Sequence, residues 1–222
     1  MTHPGARTVR GRIGPNAIIQ TAAALRERVG IARADALVAA ATGRALGTWP
    51  ETMVDESEVI RLVHAVHDDL DPALREAVMR DAGVRTAEYL LANRIPRAAQ
   101  RVLRLLPGAL SLRLLLLAIS RHTWTFAGTA HVEIRYGATA SLSMHGCPMC
   151  RGLRATAPDC HYVAATLEHL AQRLADAAYE VVETSCEAQG ASACRFEFRR
   201  EWGSPVTPTT VGLLLTHPYA MG

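Results

Sequence analysis

The sequence contains no lysine, so its 24 basic residues other than histidine are all arginines. One interpretation is a bias of genome composition, since alanine is also abundant. The other is selection of arginine for the paired oxygens of carboxylate or phosphate ligands, which match its planar guanidinium. Aromatic residues make up 5% of the chain, the net charge is only +3, and no basic run carries interleaved aromatics. We therefore expect no nucleic-acid partner.

A long apolar segment is also missing. The longest mainly apolar run, 109–120, is interrupted by Arg113 and is too short to cross a bilayer. It predicts a helix that is buried or lies on a membrane surface. Residues 1–12 are polar and arginine-rich, without the apolar centre of a signal peptide. These features predict a cytoplasmic protein that associates with membranes at most peripherally.

Coenzyme-binding motifs are absent as well. No G-x-G-x-x-G stretch follows a predicted strand, no phosphate-binding P-loop occurs, and no acidic residue is placed to bind a ribose. These absences argue against a reductase that binds its own nicotinamide coenzyme. The sequence assigns no catalytic residue.

The hydrophobic periodicity changes near the middle of the chain. Up to residue 121 it is helical, with helices predicted at 13–30, 33–47, 55–70, 71–83, 85–95, 96–106 and 109–121. Two period-two hairpins then flank an amphipathic helix over 160–178. This order predicts an α+β fold in which N-terminal helices pack with an antiparallel four-stranded sheet and a long helix. We expect a helical part (1–127), a metal-binding β-β-α-β-β part (128–202) and a tail (203–222), forming one compact domain.

The five cysteines are concentrated in the second half of the chain. Without an export signal, a metal site is a better prediction than disulfides. Cys160, Glu183, Cys186 and Cys194 would supply three thiolates and a carboxylate, enough for tetrahedral Zn²⁺. The alternative is that these cysteines are small buried side chains of a sheet core. Residues three apart on a flat strand face opposite sides, so Glu183 and Cys186 can share a metal only if the strand ends or bulges between them.

A second cysteine pair gives a competing interpretation. Cys147 and Cys150 form a C-x-x-C, a common half of a zinc site, and could join Cys186 and Cys194 in an all-cysteine site. A redox-active pair is the other alternative, but no βαβ pattern of the thioredoxin type surrounds it.

Residues 128–200 resemble the 4-vinyl reductase domain family. This family shares its α+β fold with small subunits of vesicle-tethering (TRAPP) complexes, and it supplies the effector-sensing domains of some aromatic-responsive transcription activators. In those sensors zinc is bound by Cys, Glu, Cys and Cys at similar spacing. The pattern falls here on Cys160, Glu183, Cys186 and Cys194, so the resemblance implies a closed, structural zinc site. It does not assign Cys147 and Cys150.

The stretches "RIGPNAIIQ", "TAEYLLANRIPRAAQRVLRLLPG" and "HTWTFAGT" extend the resemblance to the bacteriochlorophyll-biosynthesis members of the family. The activity implied is reduction of the 8-vinyl (4-vinyl) group of divinyl (proto)chlorophyllide. That reaction needs two electrons and two protons, normally delivered by a hydride-carrying cofactor for which the chain has no motif. We therefore expect an accessory protein that binds a Mg-porphyrin or (proto)chlorophyllide and presents it to pathway enzymes. The alternatives are a reductase with an external electron donor and a dimeric interaction scaffold.

A Mg-tetrapyrrole needs aromatic stacking, an axial ligand and cations for its carboxylates. Trp124 and Phe126 could stack on the ring, and His122 could ligate Mg²⁺. Arg94 or Arg121 could meet a carboxylate. The alternatives are that the two aromatics are core residues, that His122 is a surface histidine at a helix end, and that Arg94 only caps a helix break. Pairing through helices, common in the resembled fold, predicts a homodimer.

Overall fold

The structure, a computed structural model, describes residues 11–200. The helices of this part are α1 (Asn16–Val29), α2 (Ile31–Thr42), α3 (Glu56–Asp69), α4 (Pro72–Asn93), α5 (Arg97–Leu105), α6 (Gly108–Arg121) and α7 (His161–Leu174). The strands are β1 (Arg12–Ile13), β2 (Val54–Asp55), β3 (His131–Arg135), β4 (Ala140–His145), β5 (Tyr179–Ser185) and β6 (Cys194–Arg200). The predicted α+β class is confirmed. The predicted tail lies outside the described residues, and the division at residue 128 within one compact domain stays a prediction.

The larger sheet is antiparallel, with strands in the order β3-β4-β6-β5. Helix α7 connects β4 to β5, and β6 returns between them. Along β6 the residues Cys194, Phe196 and Phe198 are buried while those between them are more exposed, as their alternation predicts. Cys194 thus starts a strand with its side chain on the same face as the core phenylalanines.

Capping residues set the starts of two central helices. The Asp55 carboxylate accepts the N–H of Ser57 at 2.9 Å, and α3 follows it. The Asp71 carboxylate accepts the N–H of Leu74 at 3.0 Å ahead of α4. Each cap contributes about 1 kcal/mol by pairing a backbone donor that the helix leaves unsatisfied.

Helix α4 continues through Gly83, so the predicted break between 71–83 and 85–95 is wrong. Gly83 lies against α7, where an added Cβ would be 2.4 Å from the carbonyl oxygen of Tyr162. The Thr166 hydroxyl donates to the carbonyl of Gly83 at 3.0 Å, and the hydroxyls of Thr86 and Tyr162 are 2.7 Å apart. This glycine therefore permits two helices to approach closely and does not end a helix.

Two apolar clusters lie between these layers. The larger joins the N-terminal helices to the inner face of the sheet and includes Ile18, Leu62, Leu142 and Phe196. The smaller packs α4, α6 and α7 together through Ala87, Leu91, Leu115, Leu170 and Leu174. Within residues 11–200, no helix combines the length and the hydropathy needed to cross a membrane.

Candidate metal centre

All five cysteines meet in one buried cluster. Cys160, at the start of α7, and Cys194, at the start of β6, lie at its centre with their Sγ atoms 3.5 Å apart. Cys147 Sγ is 3.7 Å from that of Cys160, and Cys150 Sγ is 3.3 Å from that of Cys194. Cys186 Sγ is 3.9 Å from that of Cys160 and 3.8 Å from that of Cys194. We call these five residues together with Glu183 the cysteine cluster.

A bulge brings Glu183 to the cluster. The pairing of β5 with β6 shifts register between Glu183 and Ser185, and the strand ends before Cys186. This is the irregularity that the three-residue spacing requires if Glu183 and Cys186 are to point the same way. Glu183 Oε2 accepts the N–H of Cys160 at 2.8 Å, whereas Oε1 is buried without a hydrogen-bond partner among the described residues.

The loop that carries Cys147 and Cys150 is held by side chains on both sides. The Glu187 carboxylate accepts the N–H groups of Gly146 and Cys147 at 2.6 and 2.8 Å. Gly146 has a φ of 73°, in the left-handed region that glycine tolerates. On the helical side, His64 Nε2 is 2.8 Å from the carbonyl oxygen of Arg151. The loop is therefore fixed in place before any metal is considered.

Glu56 connects α3 to this loop. Its carboxylate accepts the N–H of Thr129 at 2.8 Å and the Arg151 guanidinium at 3.0 Å, and Arg151 also donates to the carbonyl of Gly146. Burial would raise the pKa of Glu56, but the bonds from Thr129 and Arg151 outweigh it, so the pKa lies below the usual value. Glu56 is thus a carboxylate that ties the helical part to the cysteine loop.

Two four-donor sets can be drawn from the cysteine cluster, each with its ligand atoms within 4.8 Å of one another. One is the predicted set of Cys160, Glu183, Cys186 and Cys194. The other consists of Cys147, Cys150, Cys160 and Cys194, so the all-cysteine interpretation changes in one member, with Cys160 in place of Cys186. That these residues are zinc ligands stays a prediction, but the cluster could hold a metal.

The environment of these donors suits a metal ion better than free acids. Burial, followed by the charge of Cys186, raises the pKa of Glu183 to about 8. The hydrogen bond from Cys147, the other neighbouring thiols and burial raise the pKa of Cys160 well above its ordinary value. A bound cation would ionise both groups, since metal binding displaces their protons. Four protein donors close a tetrahedral site, so its expected role is structural.

The predicted ligand-binding residues lie elsewhere. His122 ends α6, and Trp124 in the following turn is 64% exposed. Phe126 is half-buried and packs against the larger core cluster. Arg94 lies in the connection between α4 and α5, with its guanidinium 5.9 Å from the Tyr89 ring centre. The structure thus places His122 next to an exposed aromatic, and the assignment of all four residues to a ligand stays a prediction.

The surroundings of these residues show a feature that the motif search missed. Between Glu88 and Glu133 the chain has no acidic residue and six arginines. All six are exposed, and none of them makes an ion pair within the described part of the chain. Scanning the sequence for runs without acids could have found it. We call the exposed residues of this segment the arginine–leucine face: Arg94, Arg97, Arg101, Val102, Arg104, Leu105, Leu110, Arg113, Leu114, Leu117, Arg121, His122 and Trp124.

Comparison with known proteins shows the family of the chain. The model of the 4-vinyl reductase domain matches residues 140–200, which contain α7, β5, β6 and all five cysteines of the cluster. The "Bacteriochlorophyll synthase 23 kDa chain" of Cereibacter sphaeroides is 41% identical over 197 residues, covering 87% of this chain and 93% of the relative. The chain belongs to this family. The protein of the same name from Rhodobacter capsulatus is 32% identical over 200 residues, covering 90% of this chain and 92% of that relative. The expected 4-vinyl reductase domain protein of the bacteriochlorophyll pathway is confirmed.

Solved structures with a similar fold are H-NOX proteins. A variant from K. algicida aligns with a TM-score of 0.56 at 7% identity, covering 87% of this chain and 98% of that one. A variant H-NOX domain from Shewanella oneidensis aligns with a TM-score of 0.52 at 11% identity, covering 86% and 100%. At these identities the likeness concerns the fold alone, and it agrees with the α+β class.

Proposed function

We propose that this protein binds a Mg-tetrapyrrole intermediate of bacteriochlorophyll biosynthesis on its arginine–leucine face and presents it to the pathway enzymes. Its relatives are named as chains of a bacteriochlorophyll synthase, and the precursors of bacteriochlorophyll are flat, apolar macrocycles with carboxylate groups. The observation that carries the proposal is the composition of the face, where apolar and cationic groups are exposed together and acids are absent.

The apolar part of the face suits a macrocycle. Leu110, Leu114 and Leu117 on the outer side of α6 are 44%, 40% and 42% exposed, and Leu105 of α5 is 86% exposed. Monomeric proteins rarely leave such side chains grouped at the surface without a ligand or partner. Trp124 offers the largest exposed ring for stacking.

The polar part of the face supplies the other contacts. His122 Nδ1 is 2.7 Å from the carbonyl oxygen of Ala118, which can only accept, so Nδ1 carries the proton. In the neutral ring the lone pair is then on Nε2, the atom that would ligate Mg²⁺. Arg121 lies directly before it, and like Arg94 it could pair with a carboxylate without first giving up an internal ion pair.

We further propose that the metal of the cysteine cluster is a structural zinc held by Cys160, Glu183, Cys186 and Cys194. The buried Glu183 Oε1, without a hydrogen-bond partner among the described residues, supports it, since an oxygen in that position is accounted for by a bound cation. Such an ion would fasten α7 to the hairpin of β5 and β6.

Titration of the full chain with Mg-protoporphyrin tests the pigment proposal. We expect a saturable shift of the Soret band, and an apparent Kd about tenfold weaker in His122→Ala and in Trp124→Ala, a loss of about 1.4 kcal/mol each. Leu46→Ala is the matched control, because Leu46 is 67% exposed and lies outside the face. No shift with the wild type, or equal weakening in the control, would refute binding at this face.

Other uses of the face give different results in the same samples. A homodimer that occupies it would have a doubled mass without pigment and would block the Soret shift. Binding to anionic vesicles without any response to pigment would assign the face to a membrane surface. Turnover of divinyl substrate with NADPH and no other protein would replace the carrier proposal by the reductase.

A further inference from the structure

The cysteine cluster contains more donors than one tetrahedral ion can use. Five thiols and the Glu183 carboxylate converge, but each four-donor set leaves two groups over. If the glutamate set binds alone, Cys147 and Cys150 remain as buried thiols. If the all-cysteine set binds alone, Cys186 remains and Glu183 Oε1 keeps no partner within the described part.

The two sets overlap in the two central residues. Cys160 and Cys194 belong to both, and their Sγ atoms are 3.5 Å apart. Cys147 and Cys150 each contact one of this central pair, while Cys186 contacts both. A thiolate can bridge two zinc ions, as happens in Zn₂Cys₆ modules. The arrangement therefore has two bridging positions and two outer donors for each ion.

The sulfur spacings fit this arrangement. A Zn–S bond of about 2.3 Å in a tetrahedron separates neighbouring sulfurs by about 3.8 Å. The five Sγ–Sγ distances of the cluster range from 3.3 to 3.9 Å, and the shortest joins Cys150 to Cys194. Small adjustments of the side chains would bring every pair to the tetrahedral value.

The charge balance also permits a second ion. One Zn²⁺ with three thiolates and a carboxylate has a net charge of minus two. A second Zn²⁺ with the ionised Cys147 and Cys150 adds nothing to that charge, because two thiolates neutralise it. The remaining charge faces the N–H of Glu187, which donates to Cys194 Sγ at 3.4 Å, and the N-terminus of α7 at Cys160.

We infer that the cysteine cluster holds two zinc ions bridged by Cys160 and Cys194, one completed by Cys147 and Cys150 and the other by Glu183 and Cys186. The inference builds on the proposed structural zinc and does not depend on the pigment. It gives the C-x-x-C pair a role as the outer ligands of the second ion.

Metal counting on the full chain tests it. The protein is purified without chelators from a medium containing zinc, iron and copper, and each metal and acid-labile sulfide are measured per chain. We expect two zinc ions. One zinc ion per chain would overturn the binuclear site yet leave the single structural zinc standing, and iron with sulfide would overturn both.

Variants separate the two ions. Cys147→Ser/Cys150→Ser is expected to keep one zinc, and so is Glu183→Ala/Cys186→Ser, whereas Met149→Leu, next to the pair, keeps two. If the first double variant retained two ions, Cys147 and Cys150 would not be ligands. Should the second variant fail to fold, the wild-type count and the first variant still decide.

Cobalt replacement tests the bridging. Two cobalt(II) ions joined by thiolates couple magnetically, so we expect a weaker electron paramagnetic resonance signal per cobalt in the wild type than in Cys147→Ser/Cys150→Ser, which holds a single ion. Equal signals per cobalt in the two proteins would show separate ions and overturn the shared thiolates.

Discussion

In the cysteine cluster all the thiols are buried and each lies against a neighbour, whereas on the arginine–leucine face six guanidinium groups and several leucines are exposed. Elsewhere in the molecule arginines are commonly paired: Arg26 with Asp35 at 2.7 Å, Arg44 with Glu58 at 2.8 Å and Arg85 with Asp81 at 3.1 Å. The difference teaches that reactive residue types do not by themselves mark the functional surface. The thiols stabilise one end of the fold, while charges and apolar groups without internal partners are available to a ligand.

The first way to break this comparison is to remove a central thiol. Cys160→Ser would take a ligand from both proposed ions, so we expect loss of all zinc and a drop of more than about 4 kcal/mol in the free energy of unfolding, as metal loss typically produces. Urea unfolding combined with metal analysis measures both. The variant should match chelator-treated wild type. Unchanged metal content and stability would mean that the thiols are merely core residues.

The second prediction concerns the contact between the two regions. Gly83→Ala would force a methyl group to within 2.4 Å of the Tyr162 carbonyl oxygen and push α4 away from α7. We expect a loss of about 1–3 kcal/mol by overpacking, with the zinc content unchanged. In Gly137→Ala the new Cβ would be 3.7 Å from its nearest neighbour, so thermal unfolding of that control should stay near wild type.

The third prediction sharpens the role of charge on the face. Arg97→Glu/Arg101→Glu should weaken Mg-protoporphyrin binding about tenfold, or about 1.4 kcal/mol, by repelling its carboxylates, with little effect on folding. Arg28→Glu/Arg154→Glu changes the net charge equally at exposed positions outside the face. Comparable weakening in both variants would point to overall charge and would contradict a local site.

The smallest expected effect is a pH dependence at Glu56. Its pKa is lower in the folded protein, so it contributes stability above the unfolded pKa of about 4.3, and the contribution disappears as the pH falls through the folded value. Glu56→Gln should therefore cost about 1 kcal/mol at pH 7 and progressively less below about pH 4. Denaturant midpoints across this range measure it, with the exposed Glu51→Gln as the unaffected control. A pH-independent difference would show that packing, rather than charge, is the cause.

Much of the fold could be predicted because it depends on local patterns. The periodicity located α1, α3, α5 and α6 within a few residues, and the alternation in β6 identified its buried face. The break expected at Gly83 failed because a helix-ending glycine and a helix-packing glycine look alike in one dimension. What distinguishes them is the Tyr162 carbonyl, which lies on another helix far along the chain.

The sequence by itself determined the 4-vinyl reductase domain family, the α+β class and four of the donors that meet in the cysteine cluster, because caps, periods and ligand spacings are properties of short segments. Only the tertiary structure decided that Cys147 and Cys150 join Cys160 and Cys194, and that six arginines remain without carboxylates among the described residues. Both facts depend on which distant segments become neighbours when the helices and the sheet pack together. Spacing along a chain limits that choice without fixing it.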